Sequence, residues 1–490
     1  MYFDSLEYII FVPAVLAVYQ LMPSRWRWAV LLSASIGFYL ALRMPLLVIA
    51  WICVVLSSYC CGRWISDKGD GIGRTTYLWA GVAAQLAILG SIKYLRPILR
   101  LIIPGFEIPA GGTAEWFSTL GISYYTLQAV SYLADVHLGM AKPERHLGRF
   151  ALYLGFFPKL LQGPIERAGD LLPQLQSLGS FNYANVRSGV LLFCWGLFKK
   201  VAVANRLAPF VTNVYSDPHG YSGISLIAAT YMYAIQILAD FSGYTDMALG
   251  VARMFNIRLT DNFNSPYLAT SVADFWRRWH ISFSRWILDY VFKPLQIHWR
   301  NARKAGVVGA LMLTFLFSGL WHGCTLTFVA WGLLHGVYLA SSILLKPWRE
   351  GAYQKMWLAN HPWRRAFQTV ITFHLIAFAW IFFRANSIAD GWYIATHLFL
   401  GTATRVSYQA AVRGGVIGHV LNNILMDRSA RDFAMLAAAM AVWFLGSTFI
   451  KMVRLREQPI WLRWSMYYAL LLALIYLNAY DDVGFVYFQF

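Results

Sequence analysis

The sequence predicts an all-α, polytopic membrane protein, and three observations carry that reading. Of its 490 residues, 58% are hydrophobic and only 13% are charged. A soluble domain carries about 25% charged residues, so this chain lacks the charge to cover a water-facing surface of its size. Apolar runs recur along almost its whole length, and the basic residues sit in the breaks between them. A helix needs about 20 mostly apolar residues to cross roughly 30 Å of hydrocarbon.

In chain order the runs cover residues 8–21, 28–42, 45–61, 77–92, 122–133, 190–197, 224–238, 307–321, 326–345, 367–383, 433–450 and 464–477. They predict about 11 transmembrane helices, with the short runs tilted, broken, re-entrant or interfacial. The opening MYFDSLEYIIF is acidic and lacks a basic n-region, so it reads as a retained first span rather than a signal peptide. Residues 106–120 read as an exposed Gly/Pro-containing loop, 346–365 as a basic loop and 403–432 as a second polar loop. An aromatic tail, FVYFQF, closes the chain. No internal repeat or soluble domain is visible. One membrane-embedded unit over residues 1–490 is expected: N-terminal helices in 1–120, a core in 121–345, C-terminal helices in 346–490.

The net charge of +18 does not point to nucleic acid. Its lysines and arginines, such as Lys199 and Lys200, lie in short hydrophilic breaks, the pattern of the positive-inside bias. No basic helix face carries the interleaved stacking aromatics of a nucleic-acid reader. The five cysteines, Cys53, Cys60, Cys61, Cys194 and Cys324, have no metal or disulfide spacing and read as small embedded hydrophobes. No metal site is expected. There is no P-loop, H-E-x-x-H or G-x-S-x-G, and Gly69, Gly71 and Gly73 read as a flexible turn.

Chemistry concentrates in three places. Residues 273–294 read ADFWRRWHISFSRWILDYVFKP, too polar to face lipid. On one continuous helix Trp276, Trp279, Phe283, Trp286 and Tyr290 form an aromatic stripe, with Arg277, Arg278 and Arg285 largely off it. Such a helix is either an interfacial anchor or the lining of a polar cavity with His280 facing inward. Residues 317–336 read FSGLWHGCTLTFVAWGLLHG and place His322 and His335 inside an apolar run. An ionisable residue there usually faces an interior or a cavity, and imidazole suits proton transfer near neutral pH. Gly323, lacking a side chain, would let a ligand or backbone approach His322. Ser318 precedes His322 by one helical turn, so it either meets that histidine or bonds a backbone carbonyl. Finally, Asp240, Ser242, Tyr244, Asp246 and Asn262 lie at membrane depth, with the arginines of 277–285 as expected partners of the carboxylates.

These stretches together resemble the membrane-bound O-acyltransferase family. The likeness rests on DFSGYTDMALG (240–250), DNFNSPY (261–267), DFWRRWHISFSRWILDYVF (274–292), GLWHG with WGLLHG (319–336), GPIER (163–167) and the closing YFQF. It runs from about residue 120 to the C-terminus. It is nearest the bacterial branch that O-acetylates alginate or D-alanylates teichoic acid. The resemblance implies a funnel of tilted helices around a central tunnel. It also implies that His322 is the essential histidine and His280 the second motif residue, with His335 structural. Asp240, Tyr244, Asn262, Trp276, Arg277, Trp279, Ser318 and Trp321 become candidates for binding substrate or donor.

Residues and resemblance suggest one mechanism. A cytoplasmic thioester, acetyl-CoA or an acyl carrier, is the donor substrate, with no permanently bound cofactor. His322 acts as general base on the acceptor, and the acyl group leaves toward an extracytoplasmic polysaccharide through a partner acetyltransferase. A serine or cysteine acyl-enzyme through Ser318 or Cys324 is a lesser alternative. The basic stretch holding Lys293, Arg300, Arg303 and Lys304 would hold the donor's phosphates or serve as a topology signal. The expected location is the bacterial inner membrane, in contact with lipid. D-alanyl transfer is the alternative reaction, and a transporter without acyl chemistry is the alternative class, though transporters usually show inverted repeats.

Overall fold

The computed structural model describes residues 1–68, 71–103, 121–221, 223–355, 361, 363–399, 430–452 and 458–479. Among these every regular element is helical. The chain opens with α1 (Leu6–Leu21), α2 (Arg27–Leu40), α3 (Pro45–Asp67), α4 (Ile72–Lys93) and α5 (Leu95–Ile102). The shorter α6 (Ile122–His137), α7 (Leu147–Gly155) and α8 (Ala168–Gln176) follow. Next, α9 (Tyr183–Phe198) passes through a π-helical stretch, Lys199–Ala204, into α10 (Asn205–Ser216), and the long α11 (Ile224–Met254) follows. Three pieces, α12 (Val272–Arg278), α13 (Ile281–Ile287) and α14 (Lys293–His298), lead to the hairpin of α15 (Arg303–His322) and α16 (Leu326–Leu344). The chain continues through α17 (Lys346–Lys355), α18 (Trp363–Arg384), α19 (Ile388–His397), α20 (Ala430–Met452) and α21 (Ile460–Tyr476).

Six described helices are long and apolar enough to cross a membrane: α3, α4, α11, the Arg300–His322 segment, α16 and α18. The shorter apolar α1 and α21 add to them. Large apolar side chains such as Trp79, Leu86, Val370 and Phe444 are exposed, as lipid-facing residues would be. The described part of the basic stretch 346–365 is helical rather than a loop: residues 346–355 form α17 and 363–365 open α18. Residues 430–432 of the second polar stretch begin α20, because the apolar run after them extends the helix backward. Gly73 lies in the first turn of α4 rather than in a turn. Gly69, residues 106–120, the rest of the second polar stretch and the FVYFQF tail lie outside the described residues.

Two helix pairs fix the centre, both through glycine. On α9 and α11 the pairs Gly189·Gly250 and Gly196·Gly243 face each other. A Cβ on Gly189 would stand 2.5 Å from the Gly250 carbonyl oxygen, and one on Gly196 2.4 Å from that of Gly243. On α15 and α16, a Cβ on Gly319 would stand 2.4 Å from the Phe328 carbonyl oxygen, and one on Gly332 2.3 Å from that of Phe315. In lipid there is little hydrophobic drive between helices, so close backbone contact through small residues supplies the attraction.

Candidate active site

The 273–294 segment is not one helix. It breaks after Arg278, and His280 takes a left-handed conformation with φ 42° before α13 begins. That backbone costs a non-glycine residue roughly 1–2 kcal/mol. The loop before α12 holds the break in place. The Asn262 carbonyl accepts from the Ile281 N–H (3.0 Å), and its side-chain Oδ1 accepts from the Ser282 N–H (3.1 Å). The Asn264 N–H donates to the Arg278 carbonyl at 2.9 Å. The kink turns the His280 ring into the interior, where it is 1% exposed. Neither of its ring nitrogens has a hydrogen-bond partner among the described residues. Buried polar atoms are nearly always paired, so an unpaired imidazole asks for a water or a ligand.

His322 ends α15 and is also buried. Its ring lies edge-on to Trp331 and Phe383, each at 5.0 Å, and 4.7 Å from Trp321. Phe283 and Trp321 stack on each other at 4.4 Å, and each touches both histidines. The two imidazoles therefore share one aromatic wall. Lys93, His280 and His335 are titratable groups close to His322.

His335 is fully buried on α16. Its Nδ1 accepts a hydrogen bond from Trp276 Nε1 at 3.1 Å, which leaves the neutral ring's proton on Nε2. Trp276 and Trp331 pack its ring at 5.1 and 5.0 Å. Trp279 lies deeper, between Phe275 and Trp380.

Other expected site residues fall elsewhere. Arg277 is 74% exposed and among the described residues reaches only Asp274, at 3.9 Å, so it faces away from the histidines. Burial would raise the Asp274 carboxyl, but hydrogen bonds from Arg278 and the Thr270 N–H outweigh it and hold it below the usual range. The arginines of 277–285 are not the partners of Asp240 and Asp246. Lys200 binds Asp240 at 2.8 Å, and Lys199 binds Asp246 at 2.6 Å and the Ser242 hydroxyl at 3.0 Å. Lys199 and Lys200 are thus not in a hydrophilic break. The Gly196·Gly243 approach brings their π-helical stretch against the middle of α11. Tyr244 stacks on Phe3 at 4.4 Å within the N-terminal core. Ser318 is fully buried, and its Oγ bonds neither His322 nor a backbone carbonyl among the described residues. Gly323 makes room for the Phe328 ring rather than for a ligand, since a Cβ there would stand 2.5 Å from that ring. Cys53 and Cys324 are exposed and Cys61 is buried. Arg300, Arg303 and Lys304 are exposed at the opposite end of α15 from His322, a helix length of roughly 30 Å away. Among the described residues no cluster of His, Cys, Asp and Glu could hold a metal ion.

Sequence reasoning missed Lys93 and Tyr124. Lys93 Nζ donates to the Trp321 carbonyl, and Tyr124 packs on both His280 and Trp321. The only local sign of Lys93 is a lysine at the end of an apolar run, where snorkelling to the interface is the default reading.

The profile of the membrane-bound O-acyltransferase family matches residues 145–385, which hold His280, His322 and His335. A probable alginate O-acetylase of Azotobacter vinelandii is 33% identical over 398 residues, 80% of this chain and 76% of that protein. A peptidoglycan O-acetyltransferase of Helicobacter pylori is 33% identical over 75% of this chain and 72% of its own length. A teichoic acid D-alanyltransferase of Bacillus subtilis is 29% identical over 54% of this chain and 68% of its own. An all-helical, membrane-crossing chain with histidines sunk in an aromatic core, so similar to these enzymes over most of its length, belongs to the membrane-bound O-acyltransferase family and is an O-acyltransferase.

Proposed function

We propose that this chain O-acetylates an extracytoplasmic polysaccharide from a cytoplasmic thioester such as acetyl-CoA, working in the bacterial inner membrane with a separate extracytoplasmic transferase. The observation that carries the reading is the pair of buried histidines on one aromatic wall, with both nitrogens of His280 unpaired. His322 takes the proton of the acceptor as that oxygen attacks the thioester carbonyl. His280 binds and orients the acceptor or the acyl group. Coenzyme A is bulky and anionic and cannot cross lipid, so its pantetheine arm carries the thioester inward along a tunnel that narrows at His322. The acceptor meets it from the far side. Acetyl is favoured over D-alanyl because the acetylating relatives match more of the chain at higher identity.

Inverted membrane vesicles holding the full chain, its partner transferase and the polysaccharide are given radiolabelled acetyl-CoA, and base-labile label in the polysaccharide fraction is counted. Label should appear with acetyl-CoA, and no label above a chain-free control would sink the proposal. In the same vesicles His280→Ala should lower turnover and raise the apparent KM for donor or acceptor. A normal rate with normal constants would put His280 outside the site.

A further inference from the structure

Lys93 ends α4 with an ammonium that has no carboxylate partner among the described residues. It is half-buried, not splayed into the interface. Its Nζ donates to the Trp321 carbonyl and lies 5.8 Å from the centre of the Trp321 ring. The neighbouring Tyr94 hydroxyl donates to the Leu320 carbonyl. Two residues of one helix end therefore cap the last carbonyls of another, those immediately before His322. Intrahelical bonds leave such carbonyls unpaired, and a cation there also complements the helix dipole. An ammonium has three N–H groups, and one is committed to Trp321. The other titratable groups close by, His280, His335 and Cys324, bring no carboxylate, so among the described residues the Lys93 ammonium puts a positive charge without a counter-ion at this end of α15.

Resting on the acyl-transfer reading above, we propose that Lys93 is the electrostatic partner of His322, holding positive charge beside the carbonyl that reacts. The acceptor oxygen bonds to the thioester carbon as its proton passes to His322. The carbonyl π electrons move onto oxygen, and the resulting oxyanion lies in the field of the Lys93 ammonium. Collapse re-forms the C=O bond and breaks the C–S bond. The departing thiolate then takes the proton from the His322 imidazolium. Lys93 stays protonated throughout. Charge placed in advance where negative charge develops lowers the barrier, and water-excluded surroundings strengthen the effect.

Lys93→Gln keeps a donor for the Trp321 carbonyl and removes only the charge. Lys93→Arg keeps the charge. Both are assayed as full chains in membrane vesicles, reading coenzyme A release from acetyl-CoA, with His322→Ala as reference. The expected result for Lys93→Gln is a kcat about 10²-fold lower with little change in donor KM, and substantial recovery in Lys93→Arg. Lys93→Gln turning over like wild type, while His322→Ala is inactive, overturns the role of Lys93 and leaves the base assignment standing. An active His322→Ala overturns the base assignment itself. If Lys93→Gln does not fold, Lys93→Met is read in its place, and a folded neutral variant that turns over like wild type overturns the inference.

Discussion

His322→Ala should remove acyl transfer while leaving the protein folded. A general base contributes about 10²–10⁴-fold, so labelled polymer should fall to the level of the chain-free control. The substitution trims an imidazole at the end of a helix whose Leu320 and Trp321 carbonyls are held by Tyr94 and Lys93. It leaves the Gly319·Phe328 and Gly332·Phe315 contacts that seat α15 on α16. Monodispersity after detergent extraction should therefore match wild type. The measurement is polymer acetylation beside size-exclusion behaviour. A well-folded variant with wild-type transfer would remove His322 from the mechanism.

The second large effect is on folding. Lys200 and Asp240 are each 1% exposed and pair at 2.8 Å. Removing one partner of a buried ion pair costs about 3–5 kcal/mol, because the remaining charge stays desolvated. Lys200→Ala and Asp240→Ala should each lower the melting temperature of the purified chain and its folded yield. Replacing the pair together by Met and Leu should recover much of the loss, since apolar residues of similar volume need no counter-charge. Thermal unfolding of the three variants tests this. Single variants as stable as wild type would show that the pair does not hold the fold together.

Composition and hydropathy made the fold class legible, because lipid as a solvent leaves few alternatives to the helix. The histidines were legible for the same reason: an ionisable group in an apolar run stands out. Periodicity misled over 273–294. The aromatic stripe assumed an unbroken helix, whereas hydrogen bonds accepted by Asn262 and donated by Asn264, more than ten residues upstream, hold His280 in a left-handed turn. The two Asp–Lys pairs were misread because Lys199-Lys200 looks like a loop signal in isolation. Its clue lay in glycines seven apart on both runs, Gly189 with Gly196 and Gly243 with Gly250, which set two backbones in contact. Lys93 left only the ambiguous sign of a lysine ending an apolar run, since its partner is a backbone carbonyl 228 residues away.

The glycine crossings have a mechanical meaning. Where α9 meets α11 and α15 meets α16, peptide groups rather than side-chain rotamers set the spacing. Such joints have almost no soft degree of freedom to compress. Bilayer thickness and lateral pressure act first on the lipid-facing helices, which can tilt to accommodate them. The two crossings behave as a stiff keel beneath that compliant rim. The distance between the His322 and His335 helices is then a property of the chain itself, held constant as the surrounding lipid changes.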